Sequence, residues 1–249
     1  MKRAFLPIRQ PQSVTSMIVG SGLLANAFAS QADNVLADSC IYAAGVSNSA
    51  CQDRREFERE RERLLGAMRS TSPDSPFIYF GTCSIDDPEA QKSAYVQHKA
   101  AMESFVRERI SYLIFRLPQL AGFTPNPHTL LNYLFSRIIR SERFQVWGRA
   151  HRNLIDVDDV VKIARDMVTV EKAVRATINI ANTRSSSMFD IVRTMEEVLG
   201  RRAIFDTIDQ GNSYNIDTQR IMPALQRCAI SFSPCYLHDV VRKYYGHHV

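Results

Sequence analysis

Apolar positions along the chain change their spacing several times, and each change marks an element. Ser16-Met17-Ile18-Val19 is a short apolar run that enters Gly20-Ser21-Gly22-Leu23-Leu24-Ala25 and then a helix. A second strand-like run, Cys40-Ile41-Tyr42-Ala43-Ala44, ends at Gly45. From Arg54 to Arg69, Phe57, Leu64, Leu65 and Met68 are spaced for one helical face. Ser70 to Pro76 reads as a turn, and Phe77-Ile78-Tyr79-Phe80 as a strand. A helix over Tyr95–Arg109 and a strand over Tyr112–Arg116 follow. Strand and helix thus alternate over residues 17–116, which predicts an α/β fold with a parallel sheet and helices on both faces. Beyond residue 125 the pattern is mainly helical, with helices over Met188–Leu199 and Thr218–Leu225. Short strands are expected there at 144–147 and 177–180. The two halves are interleaved, with no linker between them and no internal repeat.

Composition narrows the class. The 249 residues are 45% hydrophobic and 23% charged, as in an ordinary soluble globular protein, and suffice for one large α/β domain. Thirty-one basic against 26 acidic side chains leave a net charge of +5. That excess is mild and not gathered into a stripe, so no nucleic-acid partner is expected. Five scattered cysteines without CxxC spacing or ordered histidine partners read as reduced thiols of a cytoplasmic protein, with no disulfide frame and no metal site. No apolar run reaches the length of a membrane span. Met1-Lys2-Arg3 with Met17 to Ala29 mimics a signal peptide, but Pro7 and Pro11 between them and the central Gly-Ser-Gly argue against one. The charged run Glu56 to Arg63 is expected to be a solvated helical surface with i,i+4 pairs. His98 is likewise expected at the surface. His151, His247 and His248 show no ligand spacing, and the last two are expected to fray.

Two features carry chemistry. Gly20-Ser21-Gly22-Leu23-Leu24-Ala25 follows a strand and opens a helix, the context in which G-x-G-x-x-A receives a dinucleotide pyrophosphate on a helix N-terminus. Read alone, it could equally be a tight strand-to-helix turn. Tyr95 and Lys99 lie four apart on one helical face, where an ammonium can lower the phenol pKa and a phenolate can exchange a proton with a substrate hydroxyl. Thr82, beyond the strand Phe77–Phe80, can hold the same substrate oxygen.

With these pieces in order, residues 16–230 resemble the extended short-chain dehydrogenases, the NAD-dependent epimerase/dehydratase family that modifies nucleotide sugars. Further pieces are Ile41-Tyr42-Ala43-Ala44-Gly45 and Phe80-Gly81-Thr82-Cys83-Ser84. Arg116-Leu117-Pro118-Gln119-Leu120-Ala121-Gly122 and Arg152-Asn153-Leu154-Ile155-Asp156-Val157-Asp158-Asp159-Val160 complete the series. The resemblance implies a Rossmann-like doubly wound parallel sheet with fewer strands than usual and a small, mainly helical C-terminal substrate lobe. The division would be an irregular lead-in over 1–16, a shortened dinucleotide-binding domain over 17–122 and a substrate lobe over 123–249. It implies Tyr95 as general acid/base, Lys99 as its ribose-binding partner and Thr82 as the third catalytic residue. Gly20, Gly22, Leu23, Ala25, Ala44, Gly45 and Pro118 would line NAD or NADP. Ser47, Asn48 and Arg152 would bind the nucleotide sugar, although Arg152 could equally pair with Asp158. A homodimer using the helix at Tyr95–Arg109 is also implied.

The departures from the family shape the expectation. Val19 stands where a further glycine is usual, and Ala25 replaces the last glycine. The stretch from Ala25 to Ile41 is too short for two more strands and helices, since each parallel crossover needs about a dozen residues. The acid that would bind the adenosine ribose is lost with them, and Asp38 fits better as the lead into the next strand. Cys83 and Ser84 stand where dehydratases of the family carry Asp-Glu, so 4,6-dehydration is not expected. The leading expectation is a reductase or epimerase of surface-polysaccharide sugar metabolism; a non-catalytic binding relative is the alternative.

Overall fold

The computed structural model describes residues 16–31, 36–109, 111–171 and 175–247. The first elements are β1 (Met17–Val19), α1 (Leu23–Ser30), β2 (Cys40–Tyr42), α2 (Arg54–Ser70), β3 (Phe77–Thr82), α3 (Ala94–Arg107) and β4 (Tyr112–Leu117). They follow the sequence expectation closely. The rest are β5 (Gln119–Ala121), α4 (Leu130–Ile139), β6 (Phe144–Trp147), β7 (His151–Asp156), α5 (Val157–Glu171), β8 (Ala176–Asn179), β9 (Ser185–Ser187), α6 (Met188–Leu199), β10 (Phe205–Ile208), α7 (Met222–Arg227) and α8 (Tyr236–Tyr245). Met17–Ala29, the signal-peptide mimic, builds β1 and most of α1, with Leu24, Ala25 and Phe28 buried. His248 lies outside the described residues.

The central sheet is parallel throughout, in the order β1-β2-β3-β4-β8. Alternation along the strands sends side chains to two cores. Ile41, Ile78, Phe80, Leu113 and Phe115 point to one face, where they meet Leu24 and Phe28 of α1 and Val160, Val161 and Met167 of α5. Tyr42, Phe77, Tyr79 and Ile114 point to the other, against Leu64 and Ala67 of α2 and Met102 and Val106 of α3. This is a Rossmann-like layered fold with a short sheet, as expected.

Strand order and helix placement together fix an unusual handedness. Each of the four crossovers steps one place in the same direction across the sheet. Crossovers that step alike but lie on opposite faces have opposite hands. Two helices lie on each face, so two of the four crossovers are left-handed, against a right-handed preference of about 98%. The edge strand β1 lies directly beside β2, and α1 packs on α5.

The remaining strands form two small sheets, β10-β6 and β5-β7-β9. Their core gathers Leu131, Leu134, Ile191, Met195 and Tyr245 from α4, α6 and α8. The strands β5, β7, β9 and β10 add to a half that reads from sequence as mainly helical. No helix among the described residues is long and apolar enough to cross a membrane.

Candidate active site

The glycine turn sits at the C-terminal end of β1. Gly20 has φ +139°, and a Cβ there would stand 2.5 Å from the Ala43 carbonyl oxygen, so only glycine lets β1 leave the sheet this close to β2. Gly22 caps α1 with no side-chain hydrogen bond to the first N–H groups, and nothing lies within 4 Å of the place a Cβ would take. The end of α1 is therefore open to an anion. Ala25 is buried against Gly20, and Leu23 packs on Gly122 beyond Pro118, which joins β4 to β5.

Thr82, Tyr95 and Lys99 come together at the C-terminal end of β3. Ser93 caps α3 by accepting a hydrogen bond from the Val96 N–H at 3.2 Å, and Tyr95, Lys99, Met102 and Val106 form the buried stripe of that helix. The Thr82 hydroxyl accepts from the Ser84 N–H at 3.2 Å and lies near enough to the Tyr95 phenol to lower its pKa. The Lys99 ammonium lies 5.9 Å from the centre of the Tyr95 ring. Burial raises the Tyr95 phenol above its ordinary range, Lys99 and Thr82 draw it down, and Glu60 pushes it up.

Glu60 is the residue that the sequence reading missed. It lies within the charged run of α2 yet is 2% exposed, which corrects the expectation of a wholly solvated face. Its carboxylate takes four donors. Lys99 Nζ at 2.9 Å and the Tyr79 hydroxyl at 3.1 Å meet Oε1, while His98 Nε2 at 3.0 Å and the Val46 N–H at 2.7 Å meet Oε2. Burial raises this carboxyl, but Lys99, His98 and the Val46 N–H outweigh it and hold the group down at about 2. His98 therefore is not a surface residue: its ring stacks on Phe57 at 4.5 Å and gives its N–H to the carboxylate. The Lys99 ammonium has one further hydrogen bond, to the Tyr79 hydroxyl at 3.5 Å. Gly45 makes room for this group, since a Cβ there would collide with Lys99 Nζ and lie 3.0 Å from Glu60 Oε1. The signal was present in the spacing: Glu60, Leu64 and Ala67 fall on one helical stripe, and Phe57 extends it.

Ala44, Gly45, Ser47, Asn48, Glu60 and His128 line a cavity of about 560 Å³. The Ser47 hydroxyl accepts from Asn126 Nδ2 at 3.1 Å, and Asn48 closes a turn by accepting from the Ala50 N–H. Arg152 stands apart from this group on β7. It does not pair with Asp158, which instead accepts from Lys243 at 2.6 Å. Its guanidinium lies 5.9 Å from the Trp147 ring centre and feels Tyr214 and Asp87. Burial and Cys83 push the Tyr214 phenol up to about 12, while Ser84 and Arg152 draw it down, so Tyr214 lies near both Arg152 and the end of β3. Asp38, with φ +68°, is exposed in the turn ahead of β2, at the far end of the sheet from the glycines. Among the described residues no cluster of side chains could hold a metal ion.

Comparison with known proteins gives this geometry a family. No curated protein matches the chain. The fold is similar to RMD from Pseudomonas aeruginosa, solved with NADPH, at 12% identity and a TM-score of 0.69 over 94% of this chain and 100% of that one. It is similar to UDP-glucuronic acid 4-epimerase from Bacillus cereus, solved with UDP-glucuronic acid and NAD, at 17% identity and a TM-score of 0.67 over 90% and 77% of the two chains. A dTDP-glucose 4,6-dehydratase from Bacillus anthracis, solved with NAD, has 15% identity and a TM-score of 0.62 over 82% and 71%. Residues 59–181 match the profile of the NAD dependent epimerase/dehydratase family and carry a domain of that family.

Proposed function

We propose that this chain is an NAD- or NADP-dependent oxidoreductase or epimerase acting on a nucleotide-linked sugar, with Tyr95 as general acid/base. The observation that carries the reading is the convergence of Thr82, Tyr95 and Lys99 at the C-terminal end of the parallel sheet, the end from which α1 also departs. The cofactor's pyrophosphate side has a fitting cradle: Gly20 and Gly22 leave the α1 N–H groups approachable, and Leu23, Ala44, Gly45 and Pro118 would line the rest of the cofactor. The adenosine side does not. Beyond β1 the described residues hold no strand to carry an acid for that ribose, and Asp38 is at the wrong end of the sheet. NAD and NADP are therefore both compatible with the cradle, held chiefly from one side.

When bound, the nicotinamide supplies the hydride donor or acceptor at a sugar carbon. The chain's own residues do the rest. Tyr95 moves the proton at the sugar oxygen, and Thr82, oriented by the Ser84 N–H, would hold the same oxygen. Lys99 supplies the positive charge that favours the phenolate. Arg152, with Tyr214 near it, would take the substrate's diphosphate, a task suited to guanidinium. Dehydration is disfavoured because Cys83 and Ser84 provide no carboxylate, and burial holds Cys83 as a thiol far above its ordinary pKa. A role in surface-polysaccharide synthesis in the cytoplasm suits such a reaction.

Calorimetric titration with NAD and with NADP at millimolar concentration tests the reading. At least one should bind, and Tyr95→Phe should keep that binding while hydride transfer on a panel of nucleotide sugars falls by about 10²- to 10⁴-fold. Failure of both cofactors to bind ends the oxidoreductase reading. Binding with no transfer from any sugar leaves the chain as a non-catalytic binding relative.

A further inference from the structure

The group around Glu60 is built more completely than its place in a charged surface helix requires. Four elements or their loops converge on one carboxylate: α2 carries it, the loop after β2 gives the Val46 N–H, β3 gives Tyr79, and α3 gives His98 and Lys99. The Tyr42 hydroxyl on β2 anchors the same turn of helix by donating to the Glu60 carbonyl at 3.0 Å. With all four carboxylate sites filled and a side chain 1% exposed, Glu60 cannot turn away to solvent. Its partner Lys99 is 3% exposed and spends both its hydrogen bonds inside the cluster, on Glu60 and Tyr79. No hydrogen bond joins Lys99 to Tyr95.

We infer that Glu60 is a positioning residue for Tyr95: it fixes the Lys99 ammonium above Gly45, offsets part of its charge, and so sets how tightly Tyr95 holds its proton. The inference rests on the reading of Tyr95 as the acid/base group. A lone ammonium at this distance in a buried site pulls a phenol strongly towards phenolate, and a carboxylate 2.9 Å from that ammonium cancels much of the field. The groups facing Tyr95 and Glu60 are few. Thr82 and Cys83 approach from the end of β3, Tyr42 from β2, Tyr79 from β3, and His98 and Lys99 from α3, while Arg63 and Glu103 act one step away, on Tyr42 and Tyr79. Of these, Lys99 is the cation that acts on Tyr95, and Glu60 is the acid paired with it.

The test reads the proton on Tyr95 directly. Tyrosine labelled with ¹³C at Cζ gives one NMR signal per ring, and Tyr95→Phe identifies the signal of interest. Glu60→Gln keeps the shape and removes the charge, and it should lower the pH at which that signal titrates by about one unit or more. Glu60→Asp, which keeps the charge, should stay nearer the parent chain. Lys99→Met should move the titration up, and Glu60→Gln/Lys99→Met should bring it back down. The second pair carries the same test if Glu60→Gln does not fold, because it leaves no unpartnered ammonium. A Tyr95 titration that ignores Glu60→Gln in both backgrounds overturns the inference and leaves Glu60 a structural ion pair. No hydride transfer is measured, so a chain whose Tyr95 responds as stated but turns over no sugar separates this inference from the proposed function.

Discussion

Gly20 and Thr82 end two strands that flank β2 at the same end of the sheet, and they are held in different ways. Gly20 closes a three-residue edge strand whose single partner among the described residues is β2 and whose Met17 is exposed. Thr82 closes a six-residue strand paired along its full length with β4. Around the first, geometry is set by the absence of side chains. Around the second, it is set by buried charge: Glu60 with Lys99, and Glu103 with Arg107 and Arg116. The half that would hold the cofactor's phosphates is open and lightly supported, whereas the half that would move the proton is dense and charged.

Removing a buried charge should break the dense half most severely. Glu103 is fully buried, and its carboxylate takes Arg107 NH2 at 2.7 Å, Arg116 Nε at 3.0 Å and Arg116 NH2 at 2.9 Å. It lies in the space left by Gly81, where a Cβ would stand 2.5 Å from Oε1. Glu103→Ala strips Arg116 of its buried partner and should cost about 3–5 kcal/mol, read as a lower midpoint in urea denaturation. A loss under about 1 kcal/mol would mean that the pair behaves like a surface ion pair and that this half does not depend on its buried charge.

The same contrast explains what the sequence revealed. In α3 the apolar stripe continues through Tyr95, Val96, Met102 and Val106, so a helix with Tyr95 and Lys99 on its inner face could be read directly. Strands β3 and β4 are buried on both faces and read as unbroken apolar runs. Glu60 was hidden because six of its seven neighbours in the run Glu56–Arg63 are charged, all but Phe57. Only its place on the stripe of Phe57, Leu64 and Ala67 distinguishes it. β7 was missed for another reason: His151, Arg152 and Asn153 precede its two apolar residues, and its backbone is satisfied by β5 and β9 in a small sheet that hydrophobic alternation does not mark. The crossover hand could not be read at all, since it depends on which face α1 occupies.

Gly20→Ala tests the light half. Alanine at φ +139° is strained, and its Cβ would meet the Ala43 carbonyl, which is backbone and cannot swing aside. The cost should be about 1–3 kcal/mol and should stay local. Hydrogen exchange should show faster exchange over residues 17–30, with the amides of β3 and β4 unchanged. Equal loss of protection in β3 and β4 would show that the edge strand is as integral to the core as the charged centre, and the distinction between the two halves would fall.

Gly22→Ser should produce the smallest change in stability and the clearest separation of folding from binding. The position is open, its φ of −83° suits any residue, and α1 now begins without a side-chain cap. A serine there can accept a hydrogen bond from an N–H in the first turn, which favours the helix by a few tenths of a kcal/mol over glycine. That hydroxyl would take an N–H group otherwise free for phosphate and stand in the path of its approach. The thermal midpoint should hold or rise slightly while calorimetry shows cofactor affinity about tenfold weaker, a difference of about 1.4 kcal/mol. Unchanged affinity would locate the pyrophosphate away from α1. In that case the open end of this helix follows from the shortened sheet and has no part in binding.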